Sequence, residues 1–275
     1  MTLPLRFVKM CGGGNDFLIF LADGRALSED DRRRLSLICR RGLSVGADGA
    51  LFLTPVGGDR VRLDYYNADG GLASFCANGT RCAARFAADR ALTGKSLVLE
   101  TGWGPVQADV AGGLVTLTLP PVLPPRAPMT VSVDGVEMPG IPMEVGVPHW
   151  ILFVGDELES LDLARLGPPL RRHPAMPHGA NVNFVRVDSP SRLSIRTFER
   201  GVEAETLACG SGVVASAVTA TAAGKTASPV ACATKSGVVF QVEISDAPGG
   251  MRAARLTGDA REIYAADLTE EAWQE

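Results

Sequence analysis

The chain has 275 residues, 46% of them hydrophobic and 21% charged, enough apolar material for the core of one large domain or of two of about 140 residues. A formal net charge of −4 and a pI near 5.5 exclude a chain-wide basic surface for nucleic acid. No apolar run approaches the roughly 20 residues of a membrane span, and Met1-Thr2-Leu3-Pro4-Leu5-Arg6 does not begin a secretory leader. A soluble cytoplasmic protein with neither a nucleic-acid nor a membrane partner is expected.

In chain order, the first charged cluster is Asp31-Arg32-Arg33-Arg34 with Arg40-Arg41, read as a solvated helix face. Arg62-Leu63-Asp64-Tyr65-Tyr66 alternates as a strand and is followed by the turn Asn67-Ala68-Asp69-Gly70-Gly71. Phe75-Cys76-Ala77-Asn78-Gly79 then opens an Ala-rich helix from Thr80 to about Arg90, and strands are predicted at 96–100 and 114–119. The second half replays this order. Arg192 to Phe198 alternates, Glu199-Arg200-Gly201 turns, and Ala208-Cys209-Gly210-Ser211-Gly212 opens another Ala-rich helix, Val213 to about Ala223, with strands at 237–244 and 252–257. Both helices are apolar nearly all round, which places them inside the protein.

The repeat predicts an α+β fold of two pseudo-symmetric domains, each a mostly antiparallel β-sheet wrapped around a central helix, with the active site in the cleft between them. The boundary is set at the Pro-rich stretch 120–125, giving domains 1–120 and 121–275, with the option that the last strand, near Arg261 to Tyr264, returns to domain one.

The cysteines are Cys11, Cys39, Cys76, Cys82, Cys209 and Cys232; with no Cys-x-x-Cys pair and only three histidines, neither a disulfide framework nor a metal site is expected. Cys76 and Cys209 differ from the other four in standing at the mouth of a Gly-rich turn before a helix. Unpaired N–H groups there carry partial positive charge, which favours a thiolate and can cradle a carboxylate. Two such thiols on opposite sides of one amino acid could remove its α-proton from one face and return a proton to the other, while the helix ends stabilise the carbanion.

At these residues the sequence closely resembles the diaminopimelate epimerase family. The motifs that carry the resemblance are Gly14-Asn15-Asp16-Phe17, Gly46-Ala47-Asp48-Gly49, Asn67-Ala68-Asp69-Gly70, Cys76-Ala77-Asn78-Gly79-Thr80-Arg81-Cys82, Pro148-His149, Asn181-Val182-Asn183-Phe184, Glu199-Arg200-Gly201 and Ala208-Cys209-Gly210-Ser211-Gly212. The resemblance implies epimerisation of LL- to meso-diaminopimelate without a cofactor, in lysine and cell-wall precursor synthesis, with a small amino-acid substrate and a possible homodimer. It implies Cys76 and Cys209 as acid and base, and His149 and Glu199 as tuners of the thiols. Ala77, Asn78, Gly210 and Ser211 would hold the reacting carboxylate; Asn15, Asn67, Asn181, Glu199 and Arg200 would read the distal end.

The chain departs from the family pattern at several places. Ala77 replaces a glycine, Val147 an asparagine, Gly49 a glutamine and Cys11 a histidine, and the turn at 201–206 is one residue longer. Two alternatives follow: a racemase or epimerase of another amino acid with the same two thiols, favoured by Val147, and a non-catalytic amino-acid-binding protein, disfavoured by the two matched thiols. Pyridoxal-phosphate chemistry finds no convincing Schiff-base lysine among Lys9, Lys95, Lys225 and Lys235.

Overall fold

The computed structural model describes residues 3–133 and 135–274; Met1 and Thr2, part of the opening read against a leader, lie outside them. The chain forms two compact units, one running to Leu117 and resuming at Gly258, the other from Thr118 to Thr257. Among the described residues no helix is long and apolar enough to cross a membrane.

In the first unit β1 (Arg6–Gly12) and β2 (Asn15–Leu21) are antiparallel, and β2 runs parallel to β3 (Gly49–Pro55), with α1 (Glu29–Ile38) between them in sequence. β3 is antiparallel to β4 (Arg60–Asn67), which pairs briefly with β5 (Leu72–Ala73) and, after α2 (Ala77–Asp89), parallel with β6 (Ser96–Thr101). β6 turns back as β7 (Gly104–Ala111), and β8 (Leu114–Thr118) follows.

The second unit repeats the ladder. After β9 (Met129–Val133), β10 (Val136–Val145) and β11 (Val147–Phe153) are antiparallel, and β11 is parallel to β12 (Asn181–Ser189) across α3 (Leu163–Arg171). β12 pairs with β13 (Arg192–Glu199), and β13 with β14 (Ala204–Thr206) and, after α4 (Gly210–Ala222), parallel with β15 (Val230–Thr234). β16 (Val239–Asp246) and β17 (Arg252–Asp259) complete it. The final strand, β18 (Arg261–Asp267), lies antiparallel to β1 in the first unit, as β9 lies beside β10 in the second.

Each sheet is thus mixed, with two parallel joints in an otherwise antiparallel ladder. Residues 258 onward pack with the first unit rather than within 121–275, because β18 pairs with β1. The Pro-rich segment is not a loose tether: Val122 exchanges two backbone hydrogen bonds with Arg252, 2.9 and 2.8 Å.

Strands β2 and β3 escape an alternation search because they are covered on both faces. Phe17, Leu18, Ile19, Phe20, Leu51 and Phe52 are all essentially buried. Leu18, Phe20 and Phe52 pack with Leu35 and Ile38 of α1. The other face meets α2, where a Cβ on Gly79 would lie 3.1 Å from Leu51 and 3.4 Å from Phe17. Helix α1 begins at Ser28, whose hydroxyl caps the Asp31 N–H at 3.1 Å, and it leaves Arg32 and Arg33 exposed. Helix α3 was not foreseen, since Pro168 and Pro169 lie inside it and it spans only nine residues.

The central helices explain the Ala-rich segments. α2 is buried from Ala77 to Ala84 and touches β1, β2, β3, β4, β6, β7 and β18; α4 is buried from Gly212 to Ala220 and touches β10, β11, β12, β13, β15 and β16. Only small side chains let strands approach a helix from so many directions. Enlarging one should therefore overpack the core. Ala84→Leu is expected to cost about 1–3 kcal/mol in urea unfolding with m unchanged, whereas Ala222→Leu, at an exposed position, should leave the midpoint in place.

Candidate active site

Each central helix opens on a cysteine. Cys76 is the N-cap of α2 with extended backbone (φ −145°, ψ 111°), and Cys209 is the N-cap of α4 (φ −115°, ψ 107°). The Cys76 carbonyl accepts from both the N–H and the hydroxyl of Thr80, each at 2.8 Å, which fixes the approach of the chain to α2. Cys76 is half-buried, whereas Cys209 is 5% exposed.

Behind Cys76 lies a continuous polar chain. Arg81, fully buried, donates to Asn78 Oδ1 (2.7 Å), to the Ala77 carbonyl (3.3 Å) and to the Asp259 carbonyl (3.2 Å). Asn78 donates to Asn15 Oδ1 at 2.7 Å, and Asn15 donates to Asp48 at 2.9 Å. Asp48 also receives Arg41 at 2.7 Å, and Arg41 bridges to Asp16, which pairs with the buried Lys9 at 2.7 Å. Burial works against the Asp16 carboxylate, but hydrogen bonds and charge from Arg41 and Lys9 outweigh it and hold its pKa below the usual value. Asn15, Ala77 and Asn78 are therefore brought together at the α2 N-terminus. Asn67 stands opposite Gly49 at the end of β4 with its side chain exposed.

The second unit assembles His149, Asn181, Glu199, Arg200, Gly210 and Ser211 about Cys209. Asn181 donates to Cys209 Sγ at 3.9 Å and accepts the Arg200 N–H at 2.8 Å, so one amide ties the Glu199-Arg200 corner to the thiol. Ser211 Oγ lies 3.5 Å from Cys209 Sγ. The Arg200 guanidinium donates to the His178 carbonyl at 3.0 Å. The lengthened turn is ordered by Glu203, in left-handed backbone at φ 57°, whose carboxylate takes the Gly201 N–H, Arg171 at 2.7 Å and Arg172 at 2.9 Å.

The helix ends do not decide the state of Cys209. A helix N-terminus contributes about 0.3–2 kcal/mol, whereas full burial shifts a pKa by up to about 3–5 units. Burial pushes the Cys209 thiol well up; the Glu199 carboxylate adds to this by its charge and by accepting a hydrogen bond from the thiol, against weaker opposition from Ser211 and the Gly212 N–H. At Cys209, burial and Glu199 thus oppose the thiolate that the helix end favours. Cys39 and Cys232 are pushed up to about 12 by burial, and Cys82 is raised for the same reason. His149 is held at about 3 by burial first and Arg200 second, so its ring is neutral. Among the described residues no group of three or more His, Cys, Asp or Glu side chains is placed to hold a metal ion.

Sequence reasoning missed Arg81 and Asn183 as site residues. Both carried a signal. Arg81 lies one helical turn beyond Asn78, and Asn183 lies two residues beyond Asn181 in a strand, hence on the same face.

Two measurements follow. Iodoacetamide should modify Cys76 in the native protein well before Cys209, and Glu199→Gln should speed Cys209 labelling about tenfold or more by removing the charge that favours the thiol. For His149 the folded state binds fewer protons than the unfolded chain between pH 6.5 and about 3. Its contribution to stability is complete above pH 6.5 and is lost as pH falls toward 3. The wild type should lose stability on acidification more steeply than His149→Gln, by up to about 1.4 kcal/mol per pH unit in urea titrations; equal slopes would contradict a buried neutral ring.

The sequence model described as diaminopimelate epimerase matches residues 7–115 and 142–261. A diaminopimelate epimerase of Aquifex aeolicus is 35% identical over 283 aligned positions, covering 97% of this chain and 99% of the relative. One from Archaeoglobus fulgidus is 36% identical over 276, covering 95% of each. Among solved structures, a hydroxyproline epimerase of Agrobacterium vitis, crystallised with bound trans-4-OH-L-proline, superposes with a TM-score of 0.71 over 97% of this chain and 93% of its own, at 15% identity. That likeness speaks for the fold alone. On the sequence matches, which run nearly end to end, the chain belongs to the diaminopimelate epimerase family.

Proposed function

We propose that this protein interconverts LL- and meso-diaminopimelate by proton exchange with two thiols, in the cytoplasmic synthesis of lysine and cell-wall precursors. The observation that carries the proposal is the matched placement of Cys76 and Cys209, each the N-cap of the buried helix in its copy of a repeated ladder. In one direction, the Cys76 thiolate takes the α-proton and becomes a thiol. The electron pair left on Cα delocalises into the substrate carboxylate. Cys209 then gives its thiol proton to the opposite face and becomes the thiolate. The reverse reaction exchanges the two roles.

The surroundings of the two thiols support that order. The fully buried Arg81 cation stands one turn and a half into α2, whereas the corresponding position of α4 is the apolar Val214. Glu199 favours the protonated form of Cys209. In this proposal the first turns of the two helices, at Ala77 and Asn78 and at Gly210 and Ser211, hold the reacting carboxylate. Asn15, Asn67, Asn181, Glu199 and Arg200 then recognise the distal amino-acid group, and His149 and Glu199 tune the thiols.

A second reading, the same chemistry on another amino acid, is favoured by two positions. Val147 follows the hairpin glycine Gly146, where the family carries an amide. At Gly49 a Cβ would meet the Tyr65 ring at 2.8 Å and collide with the Tyr66 carbonyl, so no glutamine fits this backbone. Two hydrogen-bonding side chains are thereby absent.

Reduced protein incubated with LL-diaminopimelate in deuterated water should yield meso product with deuterium at Cα, and Cys76→Ala and Cys209→Ala should each lower kcat by at least about 10³-fold. No turnover by folded, reduced protein would remove diaminopimelate as substrate; exchange found in a screen of other amino acids would then establish the second reading.

A further inference from the structure

The fully buried His149 ring has one nitrogen accounted for and one not. Nδ1 lies 3.1 Å from Asn183 Nδ2, while Nε2, equally buried, has no hydrogen-bond partner among the described residues. The orientation of Asn183 follows from its other bonds. The same Nδ2 donates to the Trp150 carbonyl at 3.1 Å, an atom that can only accept, and Asn183 Oδ1 accepts the Thr197 hydroxyl at 3.0 Å. The amide nitrogen, with its two hydrogens, therefore faces Nδ1, and Nδ1 must be the acceptor. An Nδ1–H tautomer or an imidazolium would set N–H against N–H. The proton of the neutral ring consequently sits on Nε2.

We propose that Asn183, held by Thr197, is a positioning residue that locks His149 as the Nε2–H tautomer and so keeps a buried donor ready for the carboxylate of the amino-acid substrate. The inference rests on the reading of this half-site as substrate-binding. His149 stands in register beside Asn181, whose amide reaches Cys209, and a Cβ on Gly212 would collide with Asn183 Oδ1. Asn183, which holds the His149 ring by Nδ1, is thus packed against the first turn of α4, where the proposal above puts a carboxylate. A buried N–H without an acceptor is unfavourable, and a bound carboxylate relieves that. The donor stays neutral and cannot surrender its proton to a carboxylate, so it binds that charge without competing with the thiols for the transferred proton.

The chain contains three histidines, so labelling with [15N]histidine and long-range 1H–15N correlation reads the His149 tautomer directly, the resonance being identified by its absence in His149→Gln. The expected result is an Nε2–H ring that does not titrate between pH 8 and 5. Asn183→Asp, whose carboxylate must accept, should turn the ring to Nδ1–H, lower kcat/KM about 10–100-fold and move its pH profile. A wild-type ring protonated on Nδ1, or an Nε2–H tautomer persisting in Asn183→Asp, overturns the positioning role.

The acceptor is tested in Cys76→Ala, in which turnover is blocked. Saturating LL-diaminopimelate should shift the Nε2–H resonance downfield. If calorimetry shows the ligand bound and the resonance does not move, the carboxylate is not the acceptor; a shift that instead follows ionisation of Cys209 assigns that role to its sulfur and likewise overturns the proposal. Absence of ligand binding would remove diaminopimelate as substrate and leave the tautomer result standing on its own.

Discussion

Everything in this protein depends on burying a helix N-terminus. Each unit wraps strands around one central helix, and the first turn of that helix opens with its N–H groups at a cysteine. Placing such an end inside a protein is costly unless an anion or a dipole meets it, and the residue at each cap is a cysteine. The wrapping is possible because α2 and α4 consist largely of alanine, glycine, serine, threonine and valine, so strands close in from several directions without overpacking. The chemistry therefore follows from a packing constraint: small side chains bury the helix, and the buried helix end presents the thiol.

Duplication supplies two such ends, and their surroundings then diverge. The backbone ladder is the same in both units, down to the order of parallel and antiparallel joints. The charges are not. Beneath Cys76 runs a chain of hydrogen bonds and ion pairs from Arg81 through Asn78, Asn15 and Asp48 to Arg41, Asp16 and Lys9. Around Cys209 the groups are Glu199, Asn181, Ser211 and, through Asn183, a neutral histidine. A cation thus stands behind one cysteine and a carboxylate beside the other in an otherwise symmetric frame, which is the difference that the proposed two-thiol exchange needs.

The polar side chains near both cysteines are already engaged with one another. Asn15 and Asn181 each use both ends of the amide within the protein. Groups held on both sides lose little further entropy when a ligand arrives, which is what preorganisation requires. The Nε2–H of His149 differs from these, being buried and lacking an acceptor among the described residues.

The sequence by itself determined the repeat, the two Ala-rich helices, the strands that alternate and the two cysteines at the helix starts, because each of these is a local pattern with a local cause: periodicity, small-residue composition and glycine beside a cap. It could not show β2 and β3, whose uninterrupted apolar runs look the same in a buried strand and a buried helix. It could not show that β18 belongs to the first unit, since pairing between residues some 250 apart in the chain leaves no local mark. Tertiary structure alone decided the states of the titrating groups. The helix-end argument favours a thiolate at either cysteine, but burial and Glu199 outweigh a helix dipole at Cys209, and the direction of one asparagine amide fixes the proton of His149. Desolvation and hydrogen-bond geometry are properties of the packed chain, and a sequence lists residues without saying which of them exclude water from the others.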